Sequence, residues 1–176
     1  MRKTRGIQFL SKGVSTYDEM DSPVGKLTII TSPEGLHAIL WDTDRTSLKY
    51  EKIIKDLTKS EDEKTIVQTK KQLIEYFQKK RKTFDLPLVI NGTDFQIQAW
   101  NQLLKIPYAT TISYAEQAEK IGNKNKARAV GCANGLNPIS IIIPCHRVIG
   151  SCGHLVGFGG GLEKKTYLLQ LEQKRK

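Results

Sequence analysis

Cysteine is scarce in this chain of 176 residues, and it is unevenly distributed. The three cysteines, Cys132, Cys145 and Cys152, all lie in the second half of the sequence. An odd, clustered set is not the disulfide framework of a small secreted protein, so free thiols in a reducing compartment are the simpler interpretation. We therefore expect an intracellular, cytoplasmic protein.

Long apolar runs are also missing. No stretch approaches the roughly 20 residues that a transmembrane helix needs, so we expect no membrane association. The basic start, Met1-Arg2-Lys3-Thr4-Arg5, is not followed by an apolar segment of signal-peptide length, and we expect no secretion signal. With 39% hydrophobic and 26% charged residues, the composition suits one compact domain or two small ones.

Acidic residues are few toward the C-terminus. Residues 91–176 hold 11 Lys and Arg against 5 Asp and Glu, and the whole chain has a formal net charge of +10. A basic surface of this kind favours polyanions, nucleic acid first, because it neutralises phosphates and releases their counterions. Lysines that only solvate helices would give the same balance, so charge by itself does not identify the partner.

The first half predicts a β-meander followed by helices. Short apolar runs are separated by the turn sequences Ser22-Pro23-Val24-Gly25 and Ser32-Pro33-Glu34-Gly35. The strands are expected at residues 14–20, 26–31 and 36–41, and the helices at residues 44–60 and 65–80. Residues 83–90 contain Pro87 and are expected to form an edge strand or a linker.

The second half predicts short helices with clear caps. Asn91-Gly92 is a turn and the preferred domain boundary, which gives domains 1–90 and 91–176. Thr93 with Gln96 and Ser113 with Glu116 have capping-box spacing, and Asn125 is expected to cap the next helix. Two short helices joined by a Gly-containing turn make residues 113–134 a helix-turn-helix candidate, and a last helix is expected at residues 162–173.

Cys145 is the residue with the strongest chemical signal. It follows an apolar, proline-bracketed run, residues 137–144, which would hold a thiol at the mouth of a buried segment. Reaction near neutral pH requires a partly ionised thiolate, which a nearby base provides. His146 is the nearest base, acting through a bridging water, and Glu172, at the end of an apolar helix face, is the carboxylate expected to orient it.

Three other interpretations of Cys145 remain open at this point. Cys145 could be a small core residue, as we expect for Cys132. We expect Cys152 to be a loop thiol. A zinc site would use the three cysteines and His146, but it lacks the paired C-x₂₋₄-C spacing of structural zinc sites, and we expect no metal. A cysteine hydrolase would need a distant histidine, and only His37 and His154 remain for that role.

Several motifs resemble the O6-alkylguanine-DNA alkyltransferase family. Its active-site signature is similar to Asn137-Pro138 followed by Pro144-Cys145-His146-Arg147-Val148-Ile149-Gly150. The likeness extends over nearly the whole chain. The further matching segments are Ser22-Pro23-Val24-Gly25, Phe84-Asp85-Leu86-Pro87-Leu88, Phe95-Gln96 with Trp100, Ile106-Pro107-Tyr108, Ser113-Tyr114, Ala127-Arg128-Ala129-Val130-Gly131 and Gly160-Gly161-Leu162-Glu163.

This resemblance implies a fold and a way of binding DNA. The first domain would be α/β and ribonuclease-H-like, a small antiparallel sheet plus helices, followed by a mostly α-helical domain with a helix-turn-helix. That motif would enter the minor groove, where Ala127, Ala129 and Gly131 allow close approach. Arg128 would be the finger that fills the vacated stack, and Tyr114 would help to rotate the damaged nucleotide and donate a hydrogen bond to the guanine.

The resemblance also implies the reaction. Cys145 would accept the alkyl group from O6-alkylguanine, less readily from O4-methylthymine, in one irreversible turnover without a cofactor. Asn137 would position the active-site segment, and the base pocket would include Val148, Phe158, which stands where many relatives have Tyr, and Gly159. The expected partner is double-stranded DNA containing alkylated guanine, with no obligate protein partner and a monomeric state. The alternative is a non-catalytic, alkyltransferase-like protein that only binds the lesion.

Overall fold

The computed structural model describes residues 16–44 and 54–173. The chain divides into two compact units, Met1–Asn91 and Gly92–Lys176. Among the residues that the structure describes, no helix is long and apolar enough to cross a membrane.

The first unit contains a four-stranded mixed sheet in the order β3-β2-β1-β4. Strands β1 (Thr16–Met20), β2 (Leu27–Ser32) and β3 (Gly35–Trp41) are antiparallel neighbours, as the turn sequences between them predict. The short strand β4 (Thr58–Lys59) pairs in parallel with β1. The expectation of a purely antiparallel sheet is therefore wrong, and so is that of a helix continuing to Ser60; residues 45–53 of that helix lie outside the described residues.

Helix α1 (Lys64–Phe77) covers this sheet. Glu63 caps it by accepting hydrogen bonds from the backbone N–H groups of Thr65 and Ile66, at 3.0 and 2.8 Å. Every residue of β2 and β3 is buried, which means that both faces of these strands are covered, because successive side chains point to opposite faces. The extended residues 83–90 make one isolated parallel bridge to this sheet, between Leu36 and Leu88.

The second unit is mostly helical. It consists of helices α2 (Asp94–Leu104), α3 (Tyr114–Lys120), α4 (Ala127–Gly135) and α5 (Leu162–Glu172), with a small parallel pair β5 (Ile112–Ser113) and β6 (Val148–Ile149). Both predicted capping boxes are present, at Thr93 with Gln96 and at Ser113 with Glu116. Short 3₁₀ helices form at Lys124–Lys126 and Cys145–Arg147.

The start of α4 differs from the prediction. Asn123, not Asn125, provides the side-chain cap: its oxygen accepts a hydrogen bond from the Asn125 N–H at 2.9 Å and opens the 3₁₀ helix. Lys126, which directly precedes α4, makes no side-chain capping hydrogen bond. The polar cap belongs to the extra 3₁₀ turn that precedes the α-helix, and not to the α-helix itself. For this reason the sequence pattern placed the cap at the wrong residue.

Helices α2, α3 and α4 are joined by buried hydrogen bonds. Gln117 on α3 and Asn134 on α4 exchange two side-chain amide hydrogen bonds, at 2.7 and 3.2 Å. The Trp100 indole N–H on α2 donates to the Ala133 carbonyl at 2.9 Å. Because these polar groups are buried and paired, a shift of α3 against α4 would leave them without partners, at a penalty of about 1–3 kcal/mol each. The pairing therefore fixes the two short helices against each other.

Candidate active site

Cys145 begins the 3₁₀ helix that ends the buried segment 137–144. It is 5% exposed, and its backbone N–H donates to the Ile143 carbonyl at 2.8 Å. The other two cysteines are exposed. Cys152 is thus a loop thiol as predicted, whereas the expectation that Cys132 packs in the core is wrong, because it lies on the outer side of α4. Among the described residues, no group of three His, Cys, Asp or Glu side chains could hold a metal ion.

Asn137 brackets the backbone that leads to Cys145. Its side-chain N–H donates to the Ile143 carbonyl at 2.7 Å, and its side-chain oxygen accepts from the Ile139 N–H at 3.0 Å. Between these contacts Ile141 adopts φ = 76°, which is uncommon and strained for a β-branched residue. Asn137 is only 3% exposed, so its amide satisfies buried backbone groups that a regular helix or strand would otherwise have paired.

His146 and Glu172 form a buried pair. Nε2 of His146 lies 2.9 Å from Oε1 of Glu172, and the two residues are 0% and 2% exposed. Burial alone would raise the pKa of Glu172, but the hydrogen bonds and charges of His146 and Arg147 lower it to about 2. An ionised carboxylate only accepts, so Nε2 carries the hydrogen. Nδ1 is then the acceptor atom, and it has no hydrogen-bond partner among the described residues.

Arg147 is a buried partner of Glu172 that the sequence did not reveal. Its Nε and Nη2 each donate to the carboxylate at 2.9 Å, and Nη1 donates to the Ile106 carbonyl at 2.6 Å. The Ala109 N–H adds a hydrogen bond to Oε2 at 3.0 Å. Burial lowers the pKa of His146; Glu172 opposes this, and the nearby positive charge of Arg147 adds to it. His146 is therefore neutral near neutral pH, the form that can accept a proton.

Tyr114 and Lys165 lie next to this group. The Tyr114 hydroxyl donates to the Val156 carbonyl at 3.0 Å and to the Gly157 carbonyl at 3.3 Å. Burial, together with the charge of Cys145 in its thiolate form, raises the pKa of Tyr114 to about 12, so its proton is available to donate. A Cβ atom at Gly131 would lie 3.6 Å from the Tyr114 ring, which shows how closely α4 approaches this side chain.

Lys165 is the second residue that sequence reasoning missed. It is fully buried, and its ammonium donates to the carbonyls of Val148, at 2.6 Å, and Val156, at 2.9 Å. Burial lowers its pKa, and the Cys145 charge opposes that shift. One signal was present in the sequence: Lys165 lies three residues before the buried Leu168 and seven before Glu172, so all three share one face of α5. By contrast Leu162, the first residue of α5, is 47% exposed.

The predicted DNA-contacting residues lie on and beside α4. Arg128 and Ala129 are exposed, as is Cys132 one turn later, while Ala127 and Gly131 are half-buried. Two more lysines, Lys124 and Lys126, precede this helix in the 3₁₀ turn.

The predicted pocket residues differ in burial. Val148 is fully buried, and its carbonyl is the one that Lys165 contacts, whereas Phe158 and Gly159 are half-buried in the loop before α5.

Known proteins match both units. Family models described as the ribonuclease-like domain and the DNA binding domain of 6-O-methylguanine DNA methyltransferase match residues 15–90 and 94–174. A Mycobacterium tuberculosis protein named methylated-DNA–protein-cysteine methyltransferase is 44% identical over 159 residues, 90% of this chain and 93% of its own. A Methanosarcina acetivorans protein of the same name is 41% identical over 156 residues, 89% of this chain and 97% of its own.

A solved structure agrees with these matches. The crystal structure of Mycobacterium tuberculosis OGT in complex with DNA has a TM-score of 0.78 and 43% sequence identity, and the match covers 89% of this chain and 92% of that one. Two family models that together span most of the chain, and relatives above 40% identity over about nine-tenths of it, lead to one conclusion: the chain belongs to the 6-O-methylguanine DNA methyltransferase family.

Proposed function

We propose that this protein repairs DNA by direct reversal, as a methylated-DNA–[protein]-cysteine S-methyltransferase. It transfers the alkyl group of O6-alkylguanine, and less readily of O4-methylthymine, to its own Cys145. The observation that carries the proposal is a buried thiol placed directly before the buried His146–Glu172 pair. The similarity to a protein solved in complex with DNA supports the substrate class.

The transfer consumes the thiol. His146 Nδ1 takes the Cys145 proton through one bridging water while Nε2–H remains bonded to Glu172. The thiolate sulfur attacks the alkyl carbon, an S–C bond forms, and the C–O6 bond breaks. Tyr114 donates to the departing guanine, so the negative charge that develops there is stabilised. The proton that leaves the thiol ends on guanine. Because a thioether does not hydrolyse, each molecule acts once. The transfer needs no cofactor.

Delivery of the base is assigned to α3 and α4. We propose that they form a helix-turn-helix whose second helix lies in the minor groove, where the small side chains at Ala127, Ala129 and Gly131 permit close approach. Arg128 occupies the gap that the flipped nucleotide leaves in the stack. The basic turn before α4 supplies cations for the flanking phosphates.

The base pocket is proposed to lie between Tyr114 and the residues Val148, Phe158 and Gly159. The Tyr114 hydroxyl must exchange its carbonyl partners at Val156 and Gly157 for the base. Asn137 acts by fixing the backbone before Cys145, since its amide holds both ends of that segment.

The two units carry different roles in this proposal. Residues 1–90 form the ribonuclease-H-like α/β domain, and residues 91–176 form the DNA-binding and alkyl-acceptor domain. The protein acts as a monomer in the cytoplasm, on double-stranded DNA. A protein that only binds the lesion would not need a thiol next to a buried base and carboxylate, which is why transfer is favoured over that alternative.

The decisive experiment combines intact-mass spectrometry with a turnover count. The protein is incubated with excess duplex DNA containing one O6-methylguanine. We expect a mass gain of one methyl group in exchange for one proton, and one repaired lesion per protein molecule. A second portion of DNA, added after completion, should remain unrepaired. Continued turnover would indicate a hydrolase or another true catalyst, and an unchanged mass would contradict the proposal.

Replacing Arg128 with alanine is expected to slow repair of duplex DNA by roughly fivefold to thirtyfold, the effect of losing about one to two kcal/mol that offset unstacking. Reaction with the free O6-methylguanine base, which needs no flipping, should keep its wild-type rate. The measurement is the single-turnover rate on both substrates.

Lys124→Ala is the matched control for Arg128→Ala, because Lys124 is also exposed and basic but lies in the turn before α4. We expect Lys124→Ala to weaken DNA binding and to reduce the slope of log affinity against log salt concentration by about one, the value for one phosphate contact. The repair rate at saturating DNA should not fall. Equal rates for Arg128→Ala and wild type on duplex DNA would show that Arg128 is not the finger.

A further inference from the structure

The reaction described above gives no function to Arg147, although this charged residue is buried beside the site. Arg147 is 6% exposed, and three of its nitrogens donate hydrogen bonds, two to the Glu172 carboxylate and one to the Ile106 carbonyl. Its guanidinium carbon also lies 5.8 Å from the centre of the Tyr108 ring. Burying a guanidinium is costly unless its charge and donors are matched, and here Glu172 provides that match.

The contact is a two-point fork, which fixes the carboxylate in rotation as well as in place. Nη2 of Arg147 and Nε2 of His146 share Oε1 of Glu172, both at 2.9 Å. Nε of Arg147 and the Ala109 N–H hold Oε2. A carboxylate held in this way keeps one oxygen directed at the imidazole, so Nε2–H has a permanent acceptor.

Arg147 also changes the electrostatic environment of His146. A carboxylate facing a lone imidazole favours the imidazolium, which has no free lone pair and cannot accept a proton. Arg147 keeps Glu172 ionised and at the same time adds a like charge beside the imidazole. The positive charge of Arg147 acts against protonation of His146 before the reaction, while the fixed carboxylate still stabilises the imidazolium formed during proton transfer.

We infer that Arg147 is a positioning residue for alkyl transfer: by clamping Glu172, it keeps Nδ1 of His146 unprotonated and available to the Cys145 proton. The inference rests on the proposed function for its kinetic consequence. Its electrostatic part does not, because the ionisation of His146 is measured without substrate.

Other ionisable groups also act on His146 and are unchanged in the test. Glu172 and Lys165 face it from α5, and Cys145 lies in its own turn. Tyr108, near Arg147, interacts electrostatically with Glu172. Helix α2 also packs on this turn, and its one ionisable residue is Asp94, at its first position.

The test compares Arg147→Gln and Arg147→Lys with wild type. The histidine ring signals are followed by NMR during a pH titration, and the signal of His146 is assigned by its loss in His146→Asn. The single-turnover rate with O6-methylguanine DNA is measured over the same pH range. His37, in the first unit, serves as an internal reference for folding.

We expect the pKa of His146 to rise by roughly one unit in Arg147→Gln, the usual effect of removing a nearby like charge, and by less in Arg147→Lys, which keeps the charge but loses the fork. The sign of the kinetic effect follows. Transfer needs neutral His146, so the acidic limb of the rate profile should move to higher pH by the same amount as the pKa.

Arg81→Gln is the matched control. Arg81 also donates from Nε to a glutamate, Glu75, at 2.7 Å, but this pair belongs to the first unit. It should change neither the pKa of His146 nor the rate profile.

An unchanged or lowered pKa of His146 in a folded Arg147→Gln protein would overturn the inference, since Arg147 would then only pack. If Arg147→Gln does not fold, the Arg147→Lys titration decides by the same criterion. Failure of the proposed function is a different outcome, in which wild type transfers no methyl group at any pH.

Discussion

Replacing Cys145 with serine is expected to abolish methyl transfer and leave binding to O6-methylguanine DNA intact. Serine has nearly the volume of cysteine, so a site that is 5% exposed keeps its packing. Its hydroxyl is a much weaker acid and a poorer nucleophile than a thiol, and His146 cannot generate an alkoxide from it near neutral pH. We expect the transfer rate to fall by at least about a thousandfold, as when other covalent enzymes lose their nucleophile.

Two measurements separate transfer from binding in the Cys145→Ser protein. Intact mass after incubation with methylated duplex should show no adduct, and a gel-shift titration should give an affinity close to that of wild type. Cys132→Ser and Cys152→Ser are matched controls, because both thiols are exposed whereas Cys145 is buried. Each control should take up one methyl group. A methyl adduct on Cys145→Ser would place the acceptor elsewhere.

Features that depend on neighbouring residues could be read from the sequence. The three antiparallel strands follow from apolar runs between Ser-Pro turns, and each capping box requires only Thr or Ser and a Gln or Glu three positions later. The strand Thr58–Lys59 could not be read this way. It has only two residues, and its partner β1 lies about 40 residues earlier in the chain. No local periodicity therefore indicates this strand.

The candidate site divides in the same way. The combination of a thiol, an adjacent base and a carboxylate on a helix face pointed to Cys145, His146 and Glu172 from residue types alone. Arg147 and Lys165 were missed because a basic residue in a sequence reads as surface until its acceptors are known. The acceptors here are a carboxylate and backbone carbonyls from distant segments, which only the folded chain brings together.

Cys132 shows the opposite error. Ala, Val and Gly surround it in the sequence, a composition typical of a packed helix, yet it is exposed. On α4, Val130, Ala133 and Asn134 face inward. The small residues on the other side project little from the helix. Small side chains on a helix indicate that another surface approaches the helix closely. The sequence alone does not say whether that surface belongs to the protein's own core or to DNA.

The second large effect is expected for Glu172→Gln, which should slow methyl transfer by about 10²- to 10⁴-fold, by analogy with the loss of the orienting carboxylate in a catalytic triad. The carboxamide has one N–H₂ group and must place it at one of two positions. At Oε2 it opposes two fixed donors, Nε of Arg147 and the Ala109 N–H. At Oε1 it opposes only Nη2 of Arg147, provided that His146 accepts at Nε2.

The less costly orientation is therefore the one that inactivates the site, because an imidazole that accepts at Nε2 carries its hydrogen on Nδ1 and cannot take the Cys145 proton. The buried guanidinium of Arg147 also loses its counter-charge, and we expect the free energy of unfolding to fall by roughly 3 kcal/mol. Denaturant titration and single-turnover kinetics measure the two effects independently. Glu163→Gln, an exposed change in the first turn of α5, is the control and should alter neither quantity. A folded Glu172→Gln protein that transfers methyl groups at the wild-type rate would show that His146 needs no carboxylate to act as the base.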